Sequence, residues 1–167
     1  DQHHQRAMKI CAQSTNFFRE YDLLRSVNIA GVIPVYEYGL HEEWGYYIMD
    51  LAEGLPFEEH LQRLPKREQY EECIHLLVSI TQILVQLHQR GLMHLDIKSD
   101  NLLVSSEGKI TLIDFGKVGL VEDYSTHRKG SMQTMSPEQR SHWYLTPKSD
   151  VYSLAVTTYQ ALSGSTA

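Results

Sequence analysis

Residues 93–104 read MHLDIKSDNLLV, gathering a histidine, two aspartates, a lysine and an asparagine between apolar runs. Asp96 and Asn101 stand five apart in it, and Asp114, which opens a D-F-G tripeptide, follows Asn101 by 13 positions. A hard divalent cation such as magnesium takes one or two carboxylates and fills its remaining positions with water and substrate phosphate oxygens. Asn101 and Asp114 suit that donor set, which leaves Asp96 free for a substrate hydroxyl. D-F-G alone is common in surface turns, and H-x-D-x-x-x-x-N alone is only moderately more specific, so the weight rests on their order and spacing.

The apolar pattern shows which elements hold these residues. Upstream, Ile74, Leu77, Ile80, Leu84 and Leu87 recur every three or four positions from Tyr70 onward and Gly91 follows as a stop, which predicts a long amphipathic helix. Downstream, residues 102–104 and 109–113 are apolar runs around S-S-E-G, the signature of a hairpin. The polar stretch is the loop between them. Nearer the start, residues 8–12 read as a strand and 16–26 as a short helix with Phe17, Leu23 and Leu24 as its apolar points. Residues 32–38 and 46–51 read as two more strands, joined through Gly39 to Gly45. Thr146 and Pro147 cap and open a last helix, with Gly164 just past its end. Residues 151–167 lack charge but carry Ser153, Thr157, Thr158, Gln160 and Ser163, so they read as a buried helix rather than a membrane segment. The class is α+β, and no internal repeat appears.

At 167 residues, 42% hydrophobic and 22% charged, the chain has the composition of one soluble domain with a sizeable core. A net charge of −6 gives neither the basic footprint of nucleic-acid binding nor a polybasic membrane patch. Cys11 and Cys73 lie far apart in apolar surroundings, so they read as inert core thiols in a reducing compartment, and no signal peptide is read at the start. The remaining histidines, including His3 and His4, show no metal-ligand spacing and read as surface residues.

With these motifs in this order, the chain resembles the eukaryotic-type (Hanks-type) protein kinase family. H-L-D-I-K-S-D-N at 94–101 is similar to the catalytic loop, and D-F-G at 114–116 to the magnesium-binding motif. S-P-E-Q at 136–139 resembles the end of the activation segment, S-D-V-Y-S-L at 149–154 the start of the central large-lobe helix, and A-M-K-I at 7–10 the V-A-I-K strand. The resemblance runs nearly end to end. It implies a protein-kinase-like α+β fold in one partial domain over 1–167, with a small β-rich first lobe over 1–52 and a mainly helical large lobe over 53–167. The family's glycine-rich loop and its C-terminal helices have no counterpart in the 167 residues, so the expectation is the inner portion of a kinase domain, with weak nucleotide binding and little turnover by itself.

The resemblance implies ATP and magnesium as cofactors and a protein substrate, with these roles. Asp96 accepts or orients the hydroxyl proton, and Lys98 sits against the transferring phosphoryl group. Asn101 and Asp114 hold magnesium. Lys9 contacts the α and β phosphates while paired to Glu20. Met49 is the gatekeeper, the backbone of Asp50 and Ala52 serves the adenine, and Leu103 joins the nucleotide-binding set. His94, Phe115 and Leu24 stack into an internal spine. On residue type alone, Lys9, Glu20 and Lys98 would be ordinary surface charges. Glu20 follows Lys9 by only 11 positions, fewer than the family usually has.

Lys98 two after Asp96 points to serine or threonine as the acceptor, and the expected location is the cytoplasm. A pseudokinase scaffold with the same fold is the alternative, although Lys9, Asp96, Asn101 and Asp114 are all kept. A small-molecule kinase ranks last, because that group usually lacks D-F-G and the segment ending in P-E. Nucleic acid and a membrane segment are not expected, and oligomeric state, protein substrate and regulator stay open.

One departure stands inside the loop. Leu95 occupies the place where most of the family carries an arginine that gathers an activation-segment phosphate. The segment offers Tyr124, Ser125, Thr126, Ser131 and Thr134 as hydroxyls, with Arg128 or Lys129 as partial compensation. Leu95 cannot hold a phosphate, so replacing Ser125, Thr126 and Ser131 together by alanine is expected to change activity by less than roughly tenfold.

Overall fold

The structure is a computed structural model that describes residues 5–12, 15–121, 130–141 and 143–164, with the backbone alone at 15–17, 19 and 20. His3, His4, Tyr124, Ser125, Thr126, Arg128 and Lys129 therefore lie outside the described residues, as do the side chains of Phe17 and Glu20.

Three strands open the fold. β1 (Arg6–Ala12), β2 (Val35–His41) and β3 (Trp44–Asp50) form an antiparallel sheet in the order β1-β3-β2. Lys9 pairs with Tyr47 and Ala7 with Met49 across β1 and β3. Helix α1 (Thr15–Ser26) sends Tyr21 and Leu24 into the core. The pattern over 32–38 splits: Val32 makes only a parallel bridge to Leu112, and Pro34, which has no N–H to donate, precedes the strand that starts at Val35. That bridge is functional packing. Ile33 N donates to Leu112 O at 3.1 Å and Leu112 N to Gly31 O at 2.7 Å, fastening the first lobe to the second. The predicted connection from Gly39 to Gly45 is also shorter than expected, because β2 and β3 run on to a tight turn at Glu42, whose φ is +52°.

The second lobe follows Asp50. β4 (Leu55–Pro56) leads into a short helix, α2 (Phe57–Gln62), which lacks the length to show a helical repeat in the sequence. The long helix α3 (Lys66–Gln89) begins after Pro65 and buries Cys73, Leu76, Ile80, Ile83, Leu84 and Leu87; Gly91 follows at φ +73°. β5 (Leu92–Met93) is followed by the polar loop, a 3-10 turn at Ser99–Asn101, and the hairpin of β6 (Leu102–Val104) and β7 (Ile110–Leu112). β8 (Gly119–Leu120) pairs antiparallel with β5. α4 (Pro137–Arg140) starts in a capping box between Ser136 and Gln139, and α5 (Lys148–Ser163) ends at Gly164 in the left-handed region.

α5 is not the all-round buried helix expected from its lack of charge. Its inward face carries Ser149, Asp150, Ser153 and Thr157 with Leu154 and Ala161, while Val151, Tyr152 and Tyr159 are exposed. Burial here serves polar bonding. Ser153 Oγ donates to Ser149 O, and Thr157 Oγ1 to Ser153 O, so the buried hydroxyls are satisfied within the helix.

Candidate active site

The polar loop leaves β5 as three successive buried residues, each fixed by a neighbour. His94 is fully buried; its Nε2 lies 3.1 Å from Ile113 O, and Asp96 N donates to its Nδ1 at 3.3 Å. A ring that accepts at Nδ1 donates at Nε2, which is the neutral tautomer. Burial pushes the His94 pKa down, outweighing the opposing charge of Asp150, the bond to Ile113 O and the charges of Asp96 and Asp114. The ring meets Phe115 edge to face at 4.8 Å, and Phe115 shares the main core with Leu24. Of the expected spine, the described contacts show the His94–Phe115 pair, with Leu24 in the same core as Phe115.

Asp150, to which the motif reading assigned no role of its own, holds the loop. Its fully buried carboxylate accepts from Leu95 N at 2.8 Å and His94 N at 2.9 Å, and His88 Nε2 on α3 lies 2.8 Å away. An acidic residue in the first turn of a helix that carries no charge after it was the available signal. These bonds hold Leu95 at φ +63°, a left-handed conformation that costs a non-glycine residue about 1–2 kcal/mol. Such strain persists only where the surroundings over-determine it.

Asp96, 5% exposed, presents its carboxylate to three groups. Ser131 Oγ donates to Oδ1 at 2.7 Å, Lys98 Nζ lies 4.0 Å from Oδ2, and Asn101 Nδ2 lies 3.4 Å from Oδ2. Asn101 Nδ2 also donates to Asp96 O at 2.8 Å, so its amide oxygen is the group left for a cation. Ser131 has no local sequence signal as a site residue; its place depends on the chain returning after 35 positions. Because it touches Asp96, the triple alanine replacement expected to be mild would disturb the site itself, and only Ser125 and Thr126 suit that test.

Asp114 lies two residues beyond β7: Ile113 N donates to Asn101 O at 3.0 Å, and Asp114 itself takes φ +62°. Its Oδ1 receives Lys9 Nζ at 2.8 Å, joining the first lobe to the second across the cleft. Burial pushes the Asp114 carboxyl up, but the bond and charge of Lys9 and the Gly116 N–H outweigh it and hold it below the usual range. The Glu20 partner expected for Lys9 has its side chain outside the described residues.

The remaining predicted residues line the strand-to-lobe connection. Met49 is half-buried against the core, and Asp50 N donates to Pro34 O at 3.1 Å, which leaves its carbonyl as the group able to serve an adenine. Ala52 also packs on the core, and Leu103 sits mid-strand in β6, paired to Thr111. A cavity of about 680 Å³ touches Asp50 and Ala52 but reaches none of Lys9, Asp96, Asn101 or Asp114; residues 27–34 and 105–107 form its other walls, so it lies behind the connection.

The donor set has the chemistry of magnesium. One carboxylate and one amide oxygen, completed by water and phosphate oxygens, would suit a hard cation. A carboxylate that accepts a hydroxyl, a nearby ammonium and a second carboxylate bonded to a lysine together can orient a hydroxyl towards a phosphate and neutralise its charge.

A family model described as "Protein kinase domain" matches residues 2–167. The chain is 32% identical over 91% of its length to serine/threonine-protein kinase PknL of Mycobacterium tuberculosis, and 28% identical over 89% to serine/threonine-protein kinase PrkC of Bacillus subtilis. It also matches serine/threonine-protein kinase PknA of Mycobacterium bovis at 31% over 83% of the chain. It spans only 39%, 23% and 34% of those proteins. On the ordered motifs, the geometry around Asp96 and this match over nearly its whole length, the chain belongs to the protein kinase family.

Proposed function

We propose that the protein containing this chain transfers the γ-phosphoryl group of ATP to serine or threonine hydroxyls of protein substrates. The observation that carries the proposal is the hydroxyl of Ser131 donating to Asp96 Oδ1 at 2.7 Å, with the ammonium of Lys98 4.0 Å from the same carboxylate. A substrate hydroxyl in the place of Ser131 Oγ would be oriented by Asp96, and Lys98 would lie against the incoming phosphoryl oxygens. Lys9, drawn towards the cleft by Asp114, would contact the α and β phosphates, and the connection at Asp50 and Ala52 would receive the adenine beside Met49 and Leu103. Asn101 and Asp114 would hold magnesium, which when bound neutralises phosphate charge. The low pKa of Asp114 keeps it ionised for that task at neutral pH. The names of the relatives support serine or threonine as acceptor, and a cytoplasmic site of action belongs to the same proposal.

The test is transfer of radiolabelled phosphate by the full-length protein with and without magnesium. Asp114→Asn is expected to abolish magnesium-dependent labelling of serine and threonine. Retained labelling in that variant would remove Asp114 from the site.

A further inference from the structure

We propose that Tyr36 is a positioning residue that fixes the connection between the lobes for adenine binding, through a hydrogen bond to the side chain of Asp50. The inference rests on the phosphoryl-transfer reading above and assigns to its nucleotide site a residue outside the motifs. Tyr36 Oη donates to Asp50 Oδ1 at 2.8 Å, across 14 positions of sequence. An irregularity in the sheet places the donor. Val35 pairs with Met49 and Glu37 with Ile48, so Tyr36 is the extra residue of a β-bulge, with no register partner in β3. A bulge interrupts the alternation of a strand and re-aims a side chain, here towards the residue that ends β3.

The neighbouring proline gives the contact its weight. Asp50 N donates to Pro34 O at 3.1 Å, but Pro34 has no N–H to return the bond. The Tyr36 hydroxyl supplies the second tie from β2. From the other edge of the sheet, Arg6, opposite Asp50 in the register of β1 and β3, lays its guanidinium 3.6 Å from the centre of the Tyr36 ring. Strands β1 and β2, separated by β3 in the sheet, thus meet over its end through three side chains. The bond to Asp50, desolvation and the Asp50 charge push the Tyr36 pKa up against the opposing charge of Arg6, so the hydroxyl stays a donor at neutral pH. Asp50 and Ala52 are the residues whose backbone is assigned to the adenine, and that backbone can select a base edge only while its direction is fixed. Arg6 and Lys9 stand three apart on β1 and therefore on opposite faces of the sheet. The effect of the cluster should fall on the base and leave the phosphates alone.

The experiment uses the full-length protein and its variants Tyr36→Phe, Asp50→Ala, the two combined, and Tyr159→Phe as a control at an exposed position on α5. Equilibrium affinity is measured for adenosine and for magnesium tripolyphosphate, with kcat and KM for ATP beside them. Tyr36→Phe and Asp50→Ala should each weaken adenosine binding about fivefold, equivalent to about 1 kcal/mol, while tripolyphosphate binding stays within about twofold. The double variant should bind adenosine no more weakly than the weaker single variant, because both substitutions remove the same bond. In Tyr36→Phe, KM for ATP should rise by the same factor with kcat within about twofold, and Tyr159→Phe should match the parent throughout. Parental adenosine affinity in Tyr36→Phe, additive losses in the double variant, or an equal loss of adenosine and tripolyphosphate binding overturns the proposal. Should the parent bind adenosine but transfer no phosphate, the kinase reading fails while the fivefold loss in Tyr36→Phe still upholds the positioning role; a parent that binds no adenosine overturns it.

Discussion

Asp114 and Lys9 meet at 2.8 Å with side chains 42% and 30% exposed, so solvent screens the pair and its worth to folding is at most about 1 kcal/mol. Its folded pKa lies below the unfolded value of about 3.9, so the unfolded chain takes up the proton first. The stabilisation is therefore complete above about pH 4 and lost as pH falls through the lower folded value. Asp114→Asn should lower the melting temperature by no more than about 4 °C at pH 7, with the difference shrinking towards pH 3, while phosphoryl transfer disappears. A large loss of stability that persists at pH 3 would show that Asp114 serves the fold before the chemistry. Asp96, Asn101 and Asp114 were singled out in the sequence by their short spacings and Lys9 by its strand motif, and the structure brings Asn101 to Asp96 and Lys9 to Asp114. Ser131 and Gln139 were not, because they reach Asp96 and Leu95 across 35 and 44 positions, where only the folded chain brings them together.

The elements around the site divide between those with a local signature and those decided by packing. α3 and the β6–β7 hairpin carry their period and their stop signals in the sequence and both are present, although α3 starts earlier, at Lys66, and leaves Ile74, one of its expected apolar points, exposed. α2 escaped because six residues show too little of a helical repeat, and its start is fixed from elsewhere: Glu58 N donates to Ser99 Oγ at 2.9 Å, in the catalytic loop. α5 misled because its inward face is polar. That face is where an element-scale prediction belongs. Asp150→Ala would leave two buried backbone N–H groups, those of His94 and Leu95, without their acceptor. Each orphaned group costs about 1–3 kcal/mol, so the variant should lose roughly 3 kcal/mol or more, about 6–12 °C in melting temperature. Urea unfolding checks it, and a loss below about 1 kcal/mol would mean that the loop holds its shape without Asp150.

Across the whole molecule, the two lobes share the main apolar core, and beyond it they are joined at three described places. These are the connection after Asp50, the Gly31–Ile33 contacts with Leu112, and the Lys9–Asp114 bond. The first two are backbone, whereas the third is a part-buried side-chain pair whose two groups would, on the proposed function, meet nucleotide phosphates and magnesium. Among the described residues, the side-chain crossing thus coincides with the proposed chemistry, and Asp96 follows a backbone anchored through Asp150. That arrangement assigns binding to the crossing and transfer to Asp96. The direct measurement compares the full-length protein with Asp96→Asn for magnesium–ATP affinity and for the rate of radiolabelled phosphate transfer to serine and threonine. The account predicts affinity within about twofold of the parent and a transfer rate lower by about 10²–10⁴, the usual contribution of a general base; a variant that transfers phosphate as fast as the parent would contradict it.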